Sequence, residues 1–173
     1  MPTTQLFSKK PEPTATKNTA PQQSQFSLPK PKSSGGGGSG SGPSFEPLEW
    51  NHFFDRREMI NGEVPLYIAG NKGHVFICMH GAGHSSQSFA ALAKYLKNDY
   101  IVAAFDFRGH GDNSMENELD LSEATLVGDA IAAIRYINTA LFSEASVIIV
   151  GHSMGGSIAT KATAKIAQDH PTE

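Results

Sequence analysis

VIIVGHSMGGSIA, residues 147–159, carries four apolar residues without a polar break into Gly151-His152-Ser153-Met154-Gly155 and then opens into a small-residue stretch suited to a helix. A strand with no polar alternation is buried on both faces, as in a parallel sheet covered by helices, so this stretch decides the fold class. It also poses a chemical question about Ser153. A serine hydroxyl is a weak nucleophile, and it reacts only when held clear of its own backbone, beside a base and beside donors for an oxyanion. Glycines at −2 and +2, here Gly151 and Gly155, keep neighbouring Cβ atoms out of a strained strand-to-helix bend that would present the hydroxyl in this way. The competing reading is an ordinary turn whose spacing arose by chance. The start of the following helix adds Met154 N–H and the positive end of the helix dipole where negative charge would develop.

Working outward, HVFICMHG (74–81) is a second, nearly all-apolar strand, and HGAGHS, His80 to Ser85, follows it. In an open α/β sheet, loops from the carboxyl ends of neighbouring strands meet at one crevice, so this loop is expected to face the Ser153 bend. Ala82 N–H is assigned as the second oxyanion donor, with Gly83 as the alternative. VPLYIAG (64–70) and YIVAAFDF (100–107) read as further strands. SSQSFAALAKYLKN (85–98) reads as a helix, with Phe89, Leu92, Ala93 and Leu96 on one stripe. Ser122 is placed as the N-cap of the next helix, in which Val127, Ala130, Ile131, Ile134, Ile137 and Leu141 recur every three or four residues. GSIATKATAKIAQ is the last helix. Strand, strand, helix, strand, helix, strand, helix makes an α/β fold with a mostly parallel sheet. The segment from Ser44, with Phe45, Leu48, Trp50, Phe53 and Phe54, is expected to anchor against the core.

His80, His84, His110 and His152 all fall at or near strand ends. His80 and His110 lie next to glycine in turns, where histidine more often orients a loop than transfers a proton, and His152 is flanked by the bend. Asp169-His170 would complete the order Ser, Asp, His, but a helix of about 14 residues at 1.5 Å each carries His170 roughly 20 Å from Ser153. That pair is rejected as the rest of a triad.

Residues 1–43 are rich in Pro, Ser, Thr, Gln, Lys and Gly, and are read as a disordered tail with too few large apolar groups to offset the entropy of ordering. They hold five lysines against one glutamate, so of the total charge of −3 the remainder carries −7. A domain that acidic is a poor partner for nucleic acid. The single cysteine, Cys78, has no partner for a disulfide or a metal site and fits a reducing compartment. The longest apolar runs are a few residues where a membrane span needs about 20. The expectation is a soluble intracellular protein with no metal, no membrane contact and no nucleic-acid partner.

HGAGHSSQSFA, IVAAFDFRGHGDN, the acidic NELDLSEATLVGDA and VIIVGHSMGGSIA resemble successive landmarks of the α/β-hydrolase fold. With SFEPLEWNHFF ahead of them, the sequence most resembles the protein phosphatase methylesterases, over about residues 44–168. The resemblance implies an incomplete α/β-hydrolase fold, its N-terminal strands and helices through the nucleophile elbow, occupying residues 44–173. It implies a cofactor-free serine carboxylesterase that removes the methyl ester from the C-terminal leucine of the protein phosphatase 2A catalytic subunit; the compartment expected is the cytoplasm, with the nucleus as the alternative. By the same resemblance Ser153 is the nucleophile, Met154 the first oxyanion donor and the HGAG loop the second, with Ala82 where the family often has glycine.

The family's catalytic acid and histidine follow later strands, and this sequence has neither position. It therefore reads as the N-terminal half of a methylesterase, from a truncated gene or a splice form, with SVIIV left as an unpaired apolar edge and catalysis lost. Two other readings stand beside it: a different serine esterase or peptidase of the same fold, and a non-catalytic fragment or binding module. Epoxide hydrolases and dehalogenases are disfavoured because they need a carboxylate where this bend has Ser153.

Overall fold

The computed structural model describes residues 48–169; the 1–43 tail, Phe45 and His170 lie outside them. Strands β1 (Arg56–Ile60), β2 (Val64–Ala69), β3 (Val75–Met79), β4 (Ile101–Phe105) and β5 (Val147–Gly151) form one sheet in the order β1-β2-β4-β3-β5. Helices α1 (Ala90–Leu96), α2 (Glu123–Tyr136) and α3 (Met154–Asp169) alternate with the later strands. Ser122 caps α2, its Oγ accepting Thr125 N–H at 3.4 Å. The apolar stripe expected to reach Leu141 does so through a π-helical turn, Ile137–Leu141, that continues α2.

The strands are continuously apolar because both faces of the sheet are covered. Along β2, Leu66 and Ile68 enter a core shared with Ala130, Ile134, Ile158 and Ala162 of α2 and α3. The intervening Tyr67 and Ala69 enter a second core with Phe54, Phe89, Ala90 and Ala93. Period-2 geometry sorts one apolar run into two cores. The aromatic segment contributes as expected through Phe54, which is 1 % exposed and packs on Tyr67 at 5.7 Å between ring centres. Burying a phenylalanine side chain contributes about 2–3 kcal/mol. Leu48 does not join it and is exposed.

The sheet is mixed, not mostly parallel. β4-β3-β5 are parallel, but β1 pairs with β2 and β2 with β4 antiparallel. The difference arises at β2, which runs against its neighbours on both sides; β1, Arg-Arg-Glu-Met-Ile, was not expected as a strand because its leading charges hide the pattern. As the outer strand it alternates between solvent and sheet, so it needs little apolar sequence. In the turn that returns it to β2, Asn61 and Gly62 adopt φ of +52° and +82°, and Glu63 N–H bonds Ile60 O at 3.1 Å. Asn-Gly is the favoured pair for such a hairpin turn.

Among the described residues β5 pairs only with β3, so its far side is an open edge. Ile148 on it is 40 % exposed. An apolar unpaired edge invites strand addition. The chain is expected to self-associate at micromolar concentration, and Ile148→Lys should suppress this, as measured by sedimentation velocity; equal association of both proteins would show that the edge is not responsible.

Candidate active site

β3 and β5 are parallel neighbours in register, Met79 opposite Gly151. Their carboxyl ends are therefore level, and the loops leaving them begin side by side. His152 N–H donates to Met79 O at 3.0 Å and closes the seam. A Cβ on Gly81 would stand 2.9 Å from His152 Nδ1 and 3.3 Å from Ser153 Cβ, so the His80–Ser85 loop rests directly against the bend.

Ser153 is exposed and has φ +52°, the left-handed region that L side chains rarely enter. Holding a non-glycine residue there costs about 1 kcal/mol or more, and the surroundings enforce it. A Cβ on Gly151 would fall 2.5 Å from Gly156 Cα, and one on Gly155 would fall 2.6 Å from His80 O. Glycine at −2 thus lets the strand fold back on the first turn of α3. Glycine at +2 lets that turn sit on the end of β3. Gly155 N–H bonds His152 O, and the Gly156 and Ser157 amides bond Ser153 O. Met154 N–H, ahead of them, is the first amide of α3 and has no intrahelical acceptor.

In the facing loop, His80 is fully buried and uses both ring nitrogens. Nε2 accepts Phe107 N–H at 3.0 Å, which assigns the proton to Nδ1, and Nδ1 donates to Gly81 O at 2.8 Å. Burial holds this imidazole below the usual histidine range, in the neutral form. Gly81 O also accepts His84 N–H at 3.1 Å. With that carbonyl fixed into the turn, the N–H of the same peptide, Ala82's, is directed to the opposite side. Ala82 and Gly83 are exposed, and Gly83 takes φ +73°.

Residues 70–172 match the family described as Serine aminopeptidase, S33. The chain belongs to that α/β-hydrolase family. Among its curated relatives, the probable protein phosphatase methylesterase 1 of Caenorhabditis elegans is 42% identical over 119 residues, 65% of this chain and 32% of the relative. Protein phosphatase methylesterase 1 of Schizosaccharomyces pombe is 32% identical over 123 residues, 64% of this chain and 36% of the relative. This α/β-hydrolase chain thus spans about a third of the length of the curated relatives it matches. A laboratory-evolved potato epoxide hydrolase shares the architecture at 27% identity and a TM-score of 0.55, over 66% of this chain and 36% of that one.

Asp106, which sequence reasoning passed over, organises this pair of loops from below. It is 1 % exposed, and its Oδ1 accepts both Ser86 N–H at 2.7 Å and Ser86 Oγ–H at 2.6 Å. Its Oδ2 accepts Asp112 N–H at 3.0 Å. One carboxylate therefore ties the loop after β3 to the turn after β4. Gly111, at φ +55°, leaves room for it, since a Cβ there would lie 2.8 Å from Oδ1. The available signal was an aspartate closing an apolar strand ahead of a Gly-rich turn. That turn is held to α2 by Arg108, whose guanidinium takes both oxygens of Asp129, at 2.5 and 2.7 Å.

The described histidine rings bond Glu49 O, Gly81 O, Phe107 N–H, Ser88 Oγ and Arg108 O; among the described residues none is bonded to Ser153. Asp169 ends α3 paired with Arg135 at 3.2 Å, about 22 Å along the helix from Met154. Cys78 is buried in the second core, where desolvation pushes its thiol up to about 12, so it offers no thiolate. None of the described helices is long and apolar enough to cross a membrane.

Proposed function

We propose that Ser153 and its facing amides are the nucleophile and oxyanion site of a serine carboxylesterase. The observation that carries this is the left-handed Ser153 on a bend seated against Gly81. Ser153 Oγ attacks the ester carbonyl, and Met154 N–H with Ala82 N–H, or Gly83 N–H in its place, receives the oxyanion. Collapse of the tetrahedral intermediate expels methanol, and water then frees the carboxylate. The substrate suggested by the relatives' names is a methyl-esterified protein phosphatase, and by family resemblance it is the C-terminal leucine methyl ester of the protein phosphatase 2A catalytic subunit. The reaction calls for no cofactor, and the compartment proposed for it is the cytoplasm, with the nucleus as the alternative.

The described residues supply a nucleophile and amides but no base, so slow chemistry is expected of this chain. A serine without its base keeps a high pKa, and the residual rate comes from the oxyanion donors and binding. A fluorophosphonate should label Ser153 slowly, over hours, and Ser153→Ala should abolish the adduct, read by intact mass and peptide mapping. Rapid stoichiometric labelling would show that a base is present. An adduct that persists in Ser153→Ala would overturn the assignment of the nucleophile.

A further inference from the structure

Two exposed imidazoles face each other across the seam between the two loops. His84, on the loop after β3, and His152, on the bend, have ring centres 5.5 Å apart at an interplanar angle of 60°. Zn2+ holds an imidazole nitrogen at about 2.0–2.1 Å, which puts each ring centre roughly 3.2 Å from the ion; two rings at a tetrahedral angle are then about 5.2 Å apart. The observed spacing therefore matches two rings on one ion. His84 also carries the outer hydrogen bond that a metal-binding histidine uses: its Nδ1 is 3.2 Å from Ser88 Oγ, which leaves Nε2 free.

Among the described residues another close histidine pair shows what this arrangement is not. His80 and His110 have ring centres 5.1 Å apart, but His80 spends Nδ1 on Gly81 O and Nε2 on Phe107 N–H. It is also fully buried, so neither nitrogen is open to an ion. Proximity alone does not distinguish the pairs; free nitrogens and exposure do.

We propose that His84 and His152 form a two-imidazole site for a borderline-soft divalent cation such as Zn2+, bridging the loop after β3 to the bend. Among the described residues no group of three or more histidine, cysteine or acidic side chains converges on a metal position, so the remaining positions on the ion fall to water. Such a site is open and exchangeable. Imidazole selects Zn2+ over Mg2+, which prefers oxygen ligands and keeps its waters. A bound ion would lock the two loops together, and the binding does not depend on the esterase reading.

The test is calorimetric titration of the full chain with Zn2+ alone and with Mg2+ alone. One equivalent of Zn2+ is expected to bind and Mg2+ is not. His84→Gln and His152→Gln should each weaken Zn2+ at least about tenfold, and Ser88→Ala should weaken it by a smaller factor. His52→Gln, His74→Gln and His170→Gln should leave it unchanged. Both first variants alter exposed side chains, and unchanged circular dichroism would show that they fold. Zn2+ binding that survives His84→Gln or His152→Gln, that is lost with one of the three control histidines, or that Mg2+ equals would overturn the site. Because the readout is heat of binding, failure here leaves Ser153 labelling untouched, and failure of labelling leaves this site untouched.

Discussion

Gly155→Ala should lower the melting temperature by about 10 °C or more, while Gly128→Ala, a chemically identical change, should raise it by a few degrees. At Gly155 the added methyl meets backbone, His80 O at 2.6 Å and Met79 O closer still, and backbone carbonyls at a strand end cannot rotate aside. Overpacking of this kind costs about 1–3 kcal/mol, and the rigid partner places this case at the upper end. Gly128 is inside α2, and a Cβ there meets nothing within 4 Å. There the alanine should contribute about 0.5–1 kcal/mol, through helix propensity and a less flexible unfolded chain. Differential scanning calorimetry of the two variants decides the matter by sign. If both move the same way, the α3 N-terminus is not packed on β3 as described, and the argument for the bend loses its support.

Asp106→Ala is expected to cost about 3–5 kcal/mol, because truncation leaves buried donors with no acceptor. Ser86 N–H, Ser86 Oγ–H and Asp112 N–H all lose the same carboxylate at once. Asp106→Asn should cost less: its amide oxygen still accepts from Ser86, while its NH2 confronts Asp112 N–H. Urea unfolding should therefore rank wild type above Asn above Ala. Hydrogen exchange should show the extra loosening in 81–89 and 107–113, the two segments that share this carboxylate. A loss confined to one of them would mean that Asp106 does not tie them together.

The sequence by itself determined the βα repeats and the bend. β3, β4 and β5 are apolar without a break, and Ser122 has the oxygen a helix start requires, so local chemistry settled each of these elements. Gly-x-Ser-x-Gly fixed where a left-handed serine can be tolerated, because the glycines at 151 and 155 are needed within a few residues of it. β1 was missed for the opposite reason: an outer strand with one exposed face needs no apolar run, and its pairing with β2 is a fact about another segment. Asp106 was missed because its donors come from positions 20 residues before it and six after it. That the His80–Ser85 loop would meet the bend followed from the rule for neighbouring parallel strands; only the tertiary structure decided the strand order and register that bring them together. The register that sets Met79 opposite Gly151 and the approach of His84 to His152 depend on β5 pairing with β3, some 70 residues away, and the fixing of Gly81 O depends on His80 being held by Phe107 N–H after β4; no local pattern encodes contacts between segments that far apart.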